Sequence, residues 1–202
     1  MSRKSPKLSR LTVAAMMGAV AFVLMYFSFS IPVLSPFAEF DLSGVAELIG
    51  GFILGPVGAV QIVVIKVLLK LLFKGTSSMF TGELQALLLG LAYVLPAVLY
   101  YRKHRTKKGA VMALVLGSAC CVVVAVFTNL FIILPFFIWL YGMDWDSIVA
   151  MCSAVNPLIK DIPTMVAFSV VPFNVVSRSV VSFITLVIYK KISVPMKQLM
   201  KE

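Results

Sequence analysis

The chain has 202 residues, of which 61% are hydrophobic and 13% are charged. Average soluble domains are about half apolar and about a quarter charged, so this composition excludes an ordinary soluble globular protein and also a disordered chain. The formal net charge is +10. Together these values predict an all-α integral membrane protein with several spans and an uneven distribution of charge.

Six apolar segments predict six transmembrane helices, which form one domain over residues 1–202. The predicted helices cover about residues 11–28, 45–54, 57–73, 84–101, 110–141 and 162–189. Gly55-Pro56 divides the second apolar run into two helices, because this dipeptide is a turn signal. Polar residues from Ser35 to Leu42 and from Gly142 to Asn156 predict loops, and Asp161 is a candidate N-cap of the last helix.

Most of the 18 Lys and Arg residues fall in three clusters outside the apolar runs. The clusters are Arg3, Lys4, Lys7 and Arg10; Arg102, Lys103, Arg105, Lys107 and Lys108; and Lys190, Lys191, Lys197 and Lys201. Cytoplasmic loops of membrane proteins are enriched in Lys and Arg. Six spans with both termini in the cytoplasm place all three clusters on that side, so topology explains the charge and nucleic-acid binding is not indicated.

The sequence contains no motif for catalysis or nucleotide binding. GxxxxGK[ST], HExxH and GxSxG patterns are all missing. The single His, His104, lies in a basic loop, and the three Cys residues form no CxxC pair. Neither a metal site nor a bound cofactor is therefore predicted in this chain, and we expect a binding or carrier protein rather than an enzyme.

Polar and charged residues at membrane depth are the candidate ligand-binding residues, because a charge there is costly unless it is paired, hydrated or liganded. Three Lys residues, 66, 70 and 74, lie on one stripe of the third helix, although Lys74 can reach the interface by snorkelling. The predicted substrate-binding residues are Lys66, Lys70, Asn129, Asn174, Ser177 and Arg178. The alternative is a structural polar network that joins the helices.

Small residues on the first helix predict a close helix–helix contact. Ala14 and Gly18, and Ala15 and Ala19, form two overlapping small-xxx-small pairs, which let a second helix approach closely. These four residues are the candidate docking face for a membrane partner. Packing within the same bundle is the alternative.

One stretch of sequence resembles a transporter family. Phe40-Asp41-Leu42-Ser43 and ELIGGFILGPVG from Glu47 to Gly58 are similar to the FDxSxxPxLIGGxxxGPxxG stretch of the S components of energy-coupling factor (ECF) vitamin transporters, and of the riboflavin-binding members in particular. The similarity continues at Lys66, Thr128-Asn129 and Val171-Pro172-Phe173-Asn174, over about residues 11–191.

The resemblance implies a function in the bacterial cytoplasmic membrane. S components have six helices with both termini inside and bind a vitamin in the outer half, beneath the loop that joins the first two helices. They work with a membrane T subunit, for which Ala15-x-x-x-Ala19 resembles the docking motif. Two cytoplasmic ATPases use ATP and Mg, which agrees with the missing P-loop here.

Departures from the riboflavin-binding members bear on the choice of vitamin. Those members carry a Lys where this chain has Ser177, whereas Lys70 and Arg178 are additional cations here. Because riboflavin is neutral, the cations favour an anionic vitamin held by charge-assisted hydrogen bonds, and pantothenate is the first expectation. Riboflavin is the alternative, followed by pyridoxine or a pyrimidine precursor. A stand-alone secondary transporter, channel or membrane scaffold is the alternative from a different class.

Overall fold

The computed structural model describes residues 6–32, 34–76 and 79–199. Its elements are α1 (Pro6–Tyr26), β1 (Phe29–Ile31), β2 (Ser35–Phe40), α2 (Ser43–Leu54), α3 (Pro56–Phe73), α4 (Thr81–Lys103), α5 (Lys107–Thr128), α6 (Leu134–Tyr141), α7 (Trp145–Ser153), α8 (Ile162–Met165) and α9 (Val171–Leu199). A π-helical turn, Asn129–Ile133, joins α5 to α6, and a second, Val166–Val170, joins α8 to α9.

Five helical stretches in the described part of the chain are long and apolar enough to cross a membrane. They are Leu8–Tyr26, Pro56–Phe73, Thr81–Lys103, Lys107–Tyr141 and Ile162–Tyr189. The helix α2 has 12 residues, and at about 1.5 Å per residue it is shorter than the ~30 Å hydrocarbon core. Length thus supports five spans, and the sixth span and the cytoplasmic location of the termini stay predictions.

The short helix α2 lies at the centre of the bundle. Of its 12 residues, 11 are buried, and it packs against α1, α3, α4 and α9. A helix that is apolar on every side is expected to be surrounded by protein. Close packing needs Gly51, because a Cβ there would lie 2.7 Å from Val98 Cγ2 on α4. This central position lets α2 carry Ser43 and Glu47 into the interior.

Two segments predicted as loops are ordered elements. The first, Ser35 to Leu42, contains β2 of an antiparallel hairpin, in which Phe29 on β1 pairs with Phe40 on β2 and their rings lie 5.2 Å apart. The second contains α7. Hydrogen bonds from the Ser147 hydroxyl and backbone N–H hold the pKa of the N-cap Asp144 below its usual value.

The predicted N-cap at Asp161 is confirmed. Its side chain accepts a hydrogen bond from the backbone N–H of Thr164 at 2.8 Å, and the Thr164 hydroxyl completes a capping box. These bonds lower the pKa of the Asp161 carboxyl. The last helical stretch accordingly begins at Ile162, as the sequence predicts.

Prolines explain why π-helical turns interrupt the two longest predicted helices. Pro135 follows the first π turn and Pro172 follows the second. A proline has no N–H for the carbonyl four residues earlier, and its ring displaces that carbonyl. The carbonyls concerned belong to Phe131 and Phe168, and each lies inside a π turn. Such turns are frequent at functional sites, and both adjoin the cavity described next.

Candidate functional site

A cavity of about 310 Å³ lies at the end of the bundle where α1 ends and α4 begins. The β-hairpin, α2, α3, α4 and both π turns contribute residues to its wall. The basic segment from Arg102 to Lys108 lies at the other end of α4. Small-molecule sites typically measure about 300–1,000 Å³, so the cavity is large enough for a small organic ligand.

The charged residues of the cavity wall include as many acids as bases. They are Glu39, Asp41, Glu47, Lys66, Lys70 and Arg178. Neutral polar residues complete the wall. They are Ser28, Ser43, Thr81, Gln85, Asn129, Ser169 and Asn174.

Lys66 is held in a buried ion pair. Its Nζ lies 2.5 Å from Glu47 Oε1, and the side chains of Lys66 and Glu47 are only 4% and 1% exposed. The same ammonium donates a hydrogen bond to Ser43 Oγ at 3.1 Å. The cation that was hardest to explain from sequence is thus neutralised by α2, the central helix.

Lys70 is also paired, with a carboxylate on α4. Its Nζ lies 3.0 Å from Glu83 Oε1, and Glu83 Oε2 accepts a hydrogen bond from the Thr76 hydroxyl at 3.0 Å. The cations were expected to favour an anionic ligand, but both lysines already have a carboxylate partner in the described structure. Pairing depends on how the helices are rotated against one another, which spacing along one helix does not report.

Arg178 differs from the two lysines. Its guanidinium carbon lies 5.1 Å from the centre of the Tyr93 ring, in a cation–π contact. Its Nε is buried without a hydrogen-bond partner among the described residues, and no ion pair to a described carboxylate forms. Arg178 therefore offers a hydrogen-bond donor to a ligand.

Two asparagines project from the neighbourhood of the π turns. Asn129 Nδ2 donates to the Ala125 carbonyl at 2.7 Å, and Asn174 Nδ2 donates to the Val170 carbonyl at 2.9 Å. These bonds fix both amides. The buried Oδ1 of Asn174 has no partner within the described structure, so it is available as an acceptor in the cavity.

The cavity wall includes Lys66, Lys70, Asn129, Asn174 and Arg178 but not Ser177. Ser177 is only 1% exposed, and its Oγ has no hydrogen-bond partner in the part of the chain that the structure describes. It lies three residues after Asn174 on the same face of α9, but it is not among the residues that line the cavity. The direct ligand contact predicted for Ser177 is not supported by this placement.

The predicted docking residues of α1 lie on two different faces. Ala14 and Gly18 are buried, and a Cβ on Gly18 would meet Ile65 Cγ2 on α3 at 2.5 Å. Ala15 and Ala19 are exposed. The four residues therefore do not form one docking face: the first pair packs inside the bundle, and only the second pair is accessible to a partner.

Sequence reasoning missed Gln85 as a candidate ligand contact. Its Oε1 is buried in the cavity wall and has no partner among the described residues. Gln85 could have been identified from the sequence, because it is a side-chain amide inside an otherwise apolar predicted helix. Ser43 and Glu47 were also not predicted to line a site, although both lie within the motif that carries the family resemblance.

Comparisons with known proteins identify the family of this chain. The family described as ECF transporter, substrate-specific component, matches residues 9–189. A protein named riboflavin transporter RibU from Staphylococcus aureus (strain TCH60) is 27% identical over 91% of this chain and 90% of its own length. One named riboflavin transporter FmnP from Bacillus subtilis (strain 168) is 26% identical over 92% and 93%.

A solved structure gives the same result. The S component of a bacterial ECF transporter superposes with a TM-score of 0.71 at 28% identity, and the match covers 92% of this chain and 95% of that one. The family match extends over most of the chain and includes the motif on α2. The chain therefore belongs to the family of substrate-specific components of ECF transporters, which are integral membrane proteins.

Proposed function

We propose that this chain captures riboflavin as the substrate-binding subunit of an ATP-driven ECF importer. The observation that carries the proposal is the balance of charge in the cavity, where both lysines are ion-paired and the unpartnered atoms are suited to a neutral ligand. The names of the two relatives, both riboflavin transporters, support the same vitamin.

The balanced charge corrects the expectation of pantothenate. That expectation required cations in excess of the available acids, so that a carboxylate ligand would relieve their burial. Glu47 and Glu83 already neutralise Lys66 and Lys70, while Glu39 and Asp41 add negative charge to the wall. A carboxylate ligand would have to approach these acids, which disfavours it.

Riboflavin matches the remaining chemistry of the wall. Its flat ring system carries carbonyl oxygens beside an N–H group, and its side chain carries several hydroxyls. The acceptors on Asn174 and Gln85 and the donor on Arg178 can each complete a hydrogen bond with such groups. Apolar wall residues, including Leu89, Phe137 and Phe173, can cover the ring.

Transport further requires partner subunits. Members of this family work with a T subunit in the membrane and two cytoplasmic ATPases, which use ATP and Mg, and we propose the same assembly here. The exposed pair Ala15 and Ala19 is the candidate contact for the T subunit. The sequence itself contains no P-loop.

Titration of the purified chain with both vitamins tests the substrate. We expect riboflavin to bind at one site per chain in mild detergent, seen by calorimetry and by quenching of flavin fluorescence. Pantothenate in hundredfold excess should release no riboflavin. Saturable binding of pantothenate, with no response to riboflavin, would overturn the vitamin assignment and leave the family assignment unchanged.

A further inference from the structure

Three arginines meet at the end of the bundle opposite the ligand cavity. Arg10 of α1, together with Arg102 and Arg105 at the end of α4, lines a second cavity of about 460 Å³. The turn between α2 and α3 forms the rest of its wall. We call this feature the arginine pocket, and nothing in the proposed riboflavin capture uses it.

Backbone contacts shape the arginine pocket. Arg10 Nη2 donates to the Leu54 carbonyl at 2.7 Å, which satisfies a carbonyl at the end of α2. Gly55 has a φ of +86°, a conformation that favours glycine, and a Cβ there would lie 3.8 Å from Arg102 Nη1. The first turn of α3 follows at once, so the positive end of its helix dipole lies at the wall.

No acidic residue that the structure describes balances the positive charge of the arginine pocket. Both ion pairs found in the described chain involve lysines at the other end of the bundle. Among the described residues of the pocket wall, the charged ones are Arg10, Arg102 and Arg105. Three guanidinium groups around one pocket repel one another, and a bound anion relieves that repulsion. Guanidinium forks match phosphate oxygens with two parallel hydrogen bonds.

Apolar side chains beside the arginines indicate which kind of phosphate binds. Leu11 is 51% exposed and Val57 is 71% exposed, and both line the pocket. A water-soluble phosphate gains nothing from these residues, whereas the acyl chains of a lipid cover them. We propose that the arginine pocket binds the phosphate diester of an anionic phospholipid and so anchors this end of the bundle at the inner membrane surface.

Native mass spectrometry of the full chain in a neutral detergent tests the proposal. Dioctanoyl phosphatidylglycerol should bind at one site, and dioctanoyl phosphatidylcholine should bind much more weakly. The double variant Arg10→Gln/Arg102→Gln should weaken phosphatidylglycerol binding roughly 30-fold, and Arg105→Gln alone roughly fivefold, from the usual contribution of a basic residue near an anionic membrane surface.

A matched control removes the same charge elsewhere. Lys103→Gln/Lys107→Gln changes two exposed residues of the same basic segment that do not line the pocket, and it should leave phosphatidylglycerol binding within about twofold. Thermal unfolding and riboflavin binding at the far end report whether each variant is folded. If the double Arg variant unfolds, the Arg105→Gln variant decides the question, because no hydrogen bond from Arg105 to the backbone is found within the described residues, unlike that of Arg10.

Three results would overturn the proposal. Equal losses in the arginine and lysine double variants would show that only overall charge matters. Displacement of the lipid by glycerol 1-phosphate at the same concentration would show a site for a soluble phosphate. Unchanged lipid binding, with lost assembly of the transporter, would show that the arginines contact an acidic protein partner instead.

Discussion

At the scale of single residues, the buried pair of Lys66 and Glu47 makes the cavity wall stable. Both side chains are almost fully buried, so removal of one partner leaves an uncompensated charge. Lys66→Met should destabilise the protein by about 3–5 kcal/mol, the usual cost of breaking a buried pair. Thermal unfolding of the purified protein in detergent measures the loss.

A double variant of the same pair shows whether the loss of stability comes from an unpaired charge or from lost packing. Lys66→Met/Glu47→Leu removes both charges, and a buried pair replaced by apolar residues is often neutral in stability. We therefore expect it to recover most of the stability that Lys66→Met loses. A double variant that is less stable than the single one would mean that Glu47 has a further essential contact.

Asn174 and Ser177 provide a test position and a matched control for ligand binding. Both are buried polar residues of α9, but only Asn174 lines the cavity. Asn174→Ala should weaken riboflavin binding by about 1–3 kcal/mol, the cost of an unsatisfied buried partner. Ser177→Ala should leave the affinity unchanged. Calorimetry on both variants makes the comparison, and equal effects would argue against a direct contact from Asn174.

The sequence was enough to predict several of the residues that line this cavity, but it did not predict which residues they contact. Lys66, Asn174 and Arg178 were identified by their depth within apolar runs, because a polar group at that depth is costly unless it is paired, hydrated or liganded. Their partners depend on contacts between helices far apart in sequence. Glu83 was not among the predicted binding residues, and only the fold brings its carboxylate within 3.0 Å of Lys70 Nζ.

At the scale of elements, α1 has one face buried in the bundle and another that is exposed. Ala15→Trp and Ala19→Trp add bulk on the exposed face, so they should prevent a close approach by another helix. We expect loss of co-purification with the T subunit and the ATPases, while the isolated chain still binds riboflavin normally. Pull-down of the co-expressed complex measures assembly.

Gly18→Leu is the internal control for that experiment. Gly18 lies on the buried face, where a Cβ would meet Ile65, so this change should lower the unfolding temperature of the isolated chain. Overpacking of this kind typically costs about 1–3 kcal/mol. If Ala15→Trp destabilises the isolated chain as much as Gly18→Leu does, the exposed face also belongs to the packing of the bundle.

The sequence predicted the type of secondary structure correctly where the apolar runs were long. The helices α2 and α3 begin and end within about two residues of the predicted bounds, because Gly55-Pro56 marks their junction. The hairpin was missed because three residues in β1 and a Pro in β2 give little strand signal. The helix α7 was missed because the acids at its N-terminus indicated a polar loop. In the structure Asp144 is the N-cap of α7 and Asp146 lies in its first turn.

At the scale of the whole molecule, the arrangement of acids favours ATP-driven transport over secondary transport. A proton- or ion-coupled carrier commonly uses carboxylates at membrane depth that change partners during the cycle. In the described helices, Glu47 and Glu83 are the carboxylates of α2 and α4 that reach this depth, and both are paired with lysines. In the structure, each of these carboxylates is therefore already held by a lysine.

Reconstitution into liposomes distinguishes these two classes of transporter. The chain alone should bind riboflavin but not accumulate it, whatever ion gradient is imposed. With the T subunit and both ATPases, accumulation should require ATP and Mg on the ATPase side, because the sequence has no P-loop of its own. Ionophores that dissipate proton and sodium gradients should have no effect on this uptake. Accumulation by the chain alone, abolished by an ionophore, would instead mean that Glu47 or Glu83 exchanges its lysine for a transported ion, and Glu83→Gln should then remove transport while sparing binding.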